Sequence, residues 1–108
     1  MELKCINDLP VEGTATCHIK NLFYKNGVKL QYVAIQPGSR VPEEGSKAHE
    51  QDEYCFFISG EIECGVEGPD GSVRITKPGE CSYIPRGQKH YSINRSNTEC
   101  IILAVMVD

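Results

Sequence analysis

The segment G-E-C-S-Y-I-P-R-G-Q-K-H-Y-S-I-N, which runs from Gly79 to Asn94, decides the fold of this chain. Its fixed positions, Gly79, Pro85, Gly87, His90 and Asn94, have the spacing G-x5-P-x-G-x2-H-x3-N. Gly79 lets the backbone turn into a strand, and Pro85 with Gly87 makes a tight turn out of it. His90 then begins the returning strand, so the pattern predicts a strand, a tight turn and a second strand that starts with an imidazole.

A second pattern lies upstream of this segment, where His49, Glu53 and Gly60 occur in order. Together the two patterns resemble the signature motifs of the cupin superfamily, of which the first ends in H-x-H-x3,4-E-x6-G. His49, Glu53 and Gly60 match its second histidine, its carboxylate and its closing glycine, whereas Lys47 stands at the position of the first histidine. The resemblance runs from about residue 38 to residue 94 and implies a jelly-roll β-barrel.

The remaining sequence has the pattern of an all-β protein. Apolar and polar residues alternate over residues 15–20 and 28–34, which is typical of half-buried strands. Turn sequences recur between such runs, for example at residues 25–27, 68–71 and 77–79. We therefore predict an all-β, antiparallel jelly-roll β-barrel that forms a single cupin domain over residues 1–108.

Composition and charge argue against several classes of partner. The formal net charge is −4 and there is no basic cluster, so we expect no binding to nucleic acid or to an anionic membrane surface. We predict a cytoplasmic protein, since the sequence has neither an apolar run of about 18 residues nor a charged-then-apolar leader. The six cysteines are spread without a C-x-x-C pair and are expected to be reduced, most of them buried.

Strand parity predicts a metal site. If the chain is extended from Lys47 onward, then Lys47, His49, Gln51 and Glu53 lie on one face, and His90 reaches the same interior from a neighbouring strand. Two imidazoles and one carboxylate form the facial set associated with non-haem iron and other divalent metals. We predict that His49, Glu53 and His90 bind Fe, Mn, Ni or Zn. The alternative is that both histidines are hydrogen-bonded residues of a metal-free cavity.

Three further residues are candidates for contacting a small-molecule ligand. Lys47 could pair with an anionic substrate or with Glu53 in a metal-free site, or could extend into solvent from a loop. Gln51 could replace the missing fourth metal ligand through its amide oxygen. Tyr83, which enters the turn before Pro85, could donate a hydrogen bond or a proton, or could pack in the barrel wall.

The last strand indicates an assembly. Residues 100–107, C-I-I-L-A-V-M-V, are apolar without alternation, which predicts burial on both faces of a sheet. A partner subunit would cover the second face, and small cupins are commonly dimers, so we predict a homodimer. The alternative is that loops of the same chain cover this face.

Two classes of function follow from these residues. The first is a metal-dependent cupin enzyme, of oxygenase, isomerase or lyase type, that acts on a sugar, an organic acid or another small polar molecule. The second is a metal-free binding or sensor protein that uses the same cavity, with Lys47 holding an anion. The fold itself does not choose between them.

Overall fold

The computed structural model describes residues 1–69 and 71–108, so Asp70, in the predicted turn at 68–71, lies outside the described residues. The described residues form β-strands and one short 3-10 helix, Ile6–Asp8, with no α-helix. The strands are β1 Glu12–Gly13, β2 Cys17–Lys25, β3 Val28–Ile35, β4 Arg40–Val41, β5 Asp52–Ser59, β6 Ile62–Val66, β7 Val73–Thr76, β8 Cys81–Ile84, β9 His90–Ile93 and β10 Cys100–Val107. No helix among the described residues is long and apolar enough to cross a membrane.

The strands form two antiparallel sheets. The larger has the order β1-β2-β3-β10-β5-β8, and the smaller has the order β4-β9-β6-β7. The core lies between them, because Ile35, Phe57 and Ile102 of the larger sheet pack against Ile62 of the smaller one. This arrangement confirms the predicted all-β, antiparallel jelly-roll barrel.

The two faces of β5 differ as the alternation of its sequence predicts. Phe57 points into the core and is 2% exposed, whereas Tyr54, Phe56 and Ile58 lie on the outer face and are 44 to 47% exposed. The neighbouring β10 has the same division, with Cys100, Ile102 and Ala104 buried and the alternate residues only partly covered. The larger sheet therefore has an apolar outer face as well as an apolar inner one.

The interior face of β3 is the more polar of its two faces. Gln31, Val33 and Ile35 line the interior cavity, so by alternation Leu30 and Tyr32 point outward. The sequence pattern of β3 is typical of a half-buried strand with Gln31 on the solvent side, whereas the structure has the opposite parity. The position of β3 between β2 and β10 decides this, because both neighbours direct their own apolar residues into the cavity.

Gly60, the closing glycine of the upstream motif, allows β5 to reverse into β6. Its φ of +79° lies in the left-handed region, and an added Cβ would be 2.6 Å from the carbonyl oxygen of Glu99. A side chain there would be both strained and in collision with backbone, so the turn requires glycine.

Asn94, the last residue of the downstream motif, is a structural residue. It is fully buried, and its amide nitrogen donates to the carbonyl oxygens of Ile35 at 3.0 Å and Thr98 at 2.9 Å. Its side-chain oxygen accepts from the amide and the hydroxyl of Ser96. One side chain thereby joins the loop after β9 to the end of β3.

We predict that Asn94→Ala lowers the free energy of unfolding by about 2–4 kcal/mol, because the buried carbonyl of Ile35 loses the amide donor and the loop loses its hydrogen bonds to Thr98 and Ser96. The control is Asn97→Ala, an exposed asparagine of the same loop, which should change it by less than about 0.5 kcal/mol. Urea denaturation followed by circular dichroism measures both. Equal losses in the two variants would show that the buried amide has no special role.

Candidate metal centre

The two sequence motifs meet inside the barrel. Glu53 lies at the start of β5, His49 lies just before that strand, and His90 begins β9. Lys47 and His90 form an antiparallel bridge, in which each amide donates to the other's carbonyl at 2.9 and 3.0 Å. The amide of Gly87 donates to the carbonyl of His49 at 2.8 Å. These backbone bonds hold the two histidines side by side.

The side chains of His49, Glu53 and His90 converge on one point. Glu53 Oε2 lies 3.4 Å from His49 Nε2 and 3.3 Å from His90 Nε2. The imidazole centroids are 5.1 Å apart, with the rings tilted by 52°. One ligand atom from each residue lies within 4.8 Å of the other two. The barrel thus brings together the three residues whose strand parity predicts a common interior position.

The second ring nitrogen of His90 fixes the orientation of its imidazole. Nδ1 lies 3.0 Å from the carbonyl oxygen of Gln88. A carbonyl only accepts, so Nδ1 carries a proton, and in neutral His90 the lone pair of Nε2 faces Glu53. A backbone acceptor on the outer nitrogen is usual for histidines that bind metals, because it selects the tautomer and holds the ring.

Glu53 provides a buried carboxylate with one unpaired oxygen. Its Oε1 accepts a hydrogen bond from the Cys55 thiol at 3.3 Å. Its Oε2 is buried without a hydrogen-bond partner among the described residues, even though both imidazoles are near it. A buried anionic oxygen requires a positive partner. A proton on an imidazole or a bound cation would supply one.

The two histidines differ in their electrostatic surroundings. Contact with the Glu53 carboxylate raises the pKa of His90, against the opposing effect of burial. Burial lowers the pKa of His49, and the positive charges of His90 and Lys47 add to this effect, while Glu53 opposes it. Burial alone would raise the pKa of Glu53, but contact with His90 and the charge of His49 outweigh burial and lower it. The carboxylate is therefore ionised at neutral pH, with His90 as its stronger partner.

This set of donors fits a divalent transition metal. Imidazole nitrogen and carboxylate oxygen bind such ions at roughly 2.0–2.2 Å, and two donors at right angles around one ion are about 3 Å apart. The separations of 3.3 and 3.4 Å from Glu53 Oε2 are close to that value. His49, Glu53 and His90 could therefore hold one ion after a small adjustment.

The three residues line a cavity of about 190 Å³ between the two sheets. Lys47 also lines it and is exposed, so its side chain lies at the cavity mouth. Because Lys47 and His90 are directly paired, their side chains leave the ladder on the same side. The other lining residues are Cys17, Ile19, Gln31, Val33, Ile35, Val41, Pro42, Cys55, Phe57, Cys64, Ser82, Ile84, Ser92, Ile102, Ala104 and Met106.

Gln51 and Tyr83, the other two predicted ligand-contacting residues, are not brought to this cavity. Gln51 shares the strand parity of Glu53, but its amide donates to the carboxylate of Asp108. Tyr83 lies on the outer face of β8, 54% exposed, with its ring 5.0 Å from that of Tyr54. Its strand neighbours Ser82 and Ile84 face the cavity instead, so Tyr83 has the wrong parity for a role inside the barrel.

Sequence reasoning did not select several cavity residues. Gln31 alternates with apolar residues in β3 and has the pattern of a solvent-facing position, while Cys64 and Ser82 carry no motif. Only the pairing of β6 with β9, and of β8 with β5, brings them to the wall. Alternation from Ile84, which precedes Pro85, is the one signal that would have identified Ser82.

Comparison with protein families agrees with this fold. The profile of the family described as Cupin domain matches residues 31–106, which is more than half of the chain. The match includes His49, Glu53 and His90. No curated protein matches the chain in a sequence comparison.

Several solved structures have the same fold. A polyketide cyclase, RemF from Streptomyces resistomycificus, matches with a TM-score of 0.83 at 20% sequence identity. The match covers 99% of this chain and 79% of the RemF chain. Ectoine synthase from P. lautus matches with a TM-score of 0.82 at 22% sequence identity, over 99% of this chain and 78% of the synthase chain. A RmlC-like cupin from Shewanella frigidimarina matches with a TM-score of 0.82 at 14% sequence identity, over 99% of this chain and 90% of its chain. Identities this low show a shared fold and nothing more specific.

We predict that, in protein freed of metal by a chelator, His90 titrates above the ordinary value of 6.5 and His49 below it. NMR of the imidazole resonances against pH measures both. Glu53→Gln keeps the shape and removes the charge, so the pKa of His90 should fall. Since the folded pKa of His90 is raised, its stabilising contribution is full below the unfolded pKa and is lost as pH rises through the folded pKa. Identical titration of the two rings would contradict this account.

Proposed function

This chain belongs to the cupin domain family, and we propose that it is a single-domain metalloprotein whose His49, Glu53 and His90 bind a divalent ion and which acts on a small polar molecule in the cavity. The observation that carries the proposal is the unpaired, buried Oε2 of Glu53 between two imidazole nitrogens. A cation at that point would neutralise the Glu53 carboxylate and could be bound by Nε2 of both histidines.

The donor set suits Fe, Mn, Ni or Zn and would leave coordination positions for water or substrate. When bound, such an ion would supply Lewis-acid or oxygen-activating chemistry, as expected of an oxygenase, isomerase or lyase. The residues of the chain would prepare the site. The carbonyl of Gln88 orients the ring of His90, and the thiol of Cys55 donates a hydrogen bond to Oε1 of Glu53. The apolar wall limits access of water.

Lys47 supports a second candidate function, that of a metal-free binding or sensor protein. Its ammonium stands where the family has a metal-binding histidine, and its charge acts on His49 and His90. A cation in that position opposes a metal and favours an anionic ligand. Direct metal analysis distinguishes the two candidates.

We further propose a homodimer formed through the outer face of the larger sheet, in the cytoplasm. Tyr54, Phe56, Ile58 and Tyr83 are each at least 44% exposed on neighbouring strands. A contiguous exposed apolar patch is typical of an interaction surface. A second copy of the chain would cover this patch together with the outer residues of β10, and the apolar sequence of residues 100–107 supports this.

We predict that the protein retains about one equivalent of a divalent ion, and that His90→Ala or Glu53→Gln loses it. The physical reason is that each change removes one of three donors, and in Glu53→Gln also the negative charge. The matched control is His18→Ala, which removes a histidine of β2 outside the cavity and should retain metal. Elemental analysis of untagged protein, before and after loading with Fe, Mn, Ni or Zn, measures retention. An unloadable wild type would support the metal-free candidate.

We predict that Leu103→Asp converts a dimer into a monomer, because an unpaired charge would be buried in the interface. Phe56→Asp, at a position exposed in the isolated chain, should do the same without loss of folding. The control is Val73→Asp, an exposed apolar residue of the smaller sheet, which should stay dimeric. Analytical ultracentrifugation measures the mass. A monomeric wild type would refute this interface.

A further inference from the structure

Resting on the proposed function of the same cavity, we infer that its ligand is a small monocarboxylate with a compact apolar body, about the size of benzoate, and not a sugar. The carboxylate lies at the mouth between Lys47 and the site of His49, Glu53 and His90, and the apolar body lies deeper between the sheets. The inference rests on the wall of the cavity, on its hydrogen-bonding groups, on its charge and on its volume.

The wall beside and beneath the three polar residues is apolar. Ile84 and Met106 line the cavity at the level of Glu53, with which both are paired in the strand register. Ile19, Val33 and Ile102 line it further along their strands, at the level of the aromatic ring of Phe57. Burial of apolar ligand surface against such a wall is favourable in proportion to the area removed from water. A ligand covered with hydroxyls would lose its water there and gain little of this energy.

The cavity contains few groups that could replace the water of a sugar. Apart from Lys47 and the three candidate metal ligands, the lining side chains with nitrogen or hydroxyl oxygen are Gln31, Ser82 and Ser92 in the described part of the chain. The amide nitrogen of Gln31 already donates to Asn21 at 2.8 Å, and the hydroxyl of Ser92 is paired with the thiol of Cys64 at 3.7 Å. Each buried ligand hydroxyl without a partner would lose its hydrogen bonds to water without replacement, which disfavours a pentose or hexose.

The charge at the mouth favours an anion. Lys47 is the one lysine or arginine among the described lining residues, and the single carboxylate, that of Glu53, is directed at the two imidazoles. Because Lys47 is exposed, its ammonium stays hydrated while the interior stays apolar. This arrangement orients an amphiphilic anion with its carboxylate outward and its body inward, and a charge-assisted hydrogen bond to Lys47 would hold it.

The volume limits the body to about one ring. An apolar cavity of about 150 Å³ is known to accommodate benzene, and this cavity measures about 190 Å³. A six-membered ring or a branched chain of similar size, with one carboxylate, fits this space.

Isothermal titration with four probes tests the inference: benzoate, its uncharged isostere benzamide, acetate, which lacks the body, and xylose. We expect benzoate to bind the chelator-treated wild type at least about tenfold more tightly than each of the other three. Lys47→Met should weaken benzoate by about tenfold and leave benzamide unchanged. The matched control is Lys89→Met, an exposed lysine next to His90 that does not line the cavity.

The use of metal-free protein separates this inference from the proposed metal site. Benzoate binding by a protein that retains no metal would support the ligand class while the metal site fails. A protein that holds metal but binds no benzoate, in either the metal-free or the loaded form, would overturn the ligand class alone. Xylose binding as tight as that of benzoate, or benzoate binding unaffected by Lys47→Met, would also overturn it.

Discussion

The pairing of Lys47 with His90 is the constraint on which the candidate site depends. Its two backbone hydrogen bonds, at 2.9 and 3.0 Å, join the segment before β5 to the start of β9, which belongs to the other sheet. The bond from Gly87 to His49 fixes the same segment a second time. The left-handed turn at Gly87 is what brings its amide to that position. Backbone hydrogen bonds therefore fix the positions of His49 and His90, and strand alternation directs their side chains into the cavity.

Glu53 is the residue that makes this geometry chemically significant. A buried carboxylate oxygen without a donor is unfavourable by itself, and the fold tolerates it because two imidazoles stand within 3.4 Å. The electrostatic balance is uneven, since His90 is held by Gln88 as well as by the carboxylate, whereas His49 is destabilised as a cation by burial and by its positive neighbours. In the proposed metal-bound form, the ion would take the place of the imidazole proton as the positive partner of Glu53.

Strands β5 and β10 of the larger sheet contribute residues both to the cavity wall and to the outer surface. Residues of β5 and β10 alternate between the cavity and an apolar outer face, and both faces are apolar for different reasons. The inner face excludes water from the polar cluster, while the outer face has the composition of a surface that another molecule covers. This double role explains why β10 lacks the alternation of an ordinary strand with one solvated face.

The sequence by itself determined the barrel and the set of His49, Glu53 and His90, because glycine and proline turns at fixed spacing and period-two alternation act locally. It did not determine which neighbours complete the cavity. Gln51 has the right parity but pairs with Asp108, and Tyr83 lies on the outward-facing parity of its strand. Such outcomes depend on which strands pair and in which register, and these are properties of contacts between residues far apart in the chain.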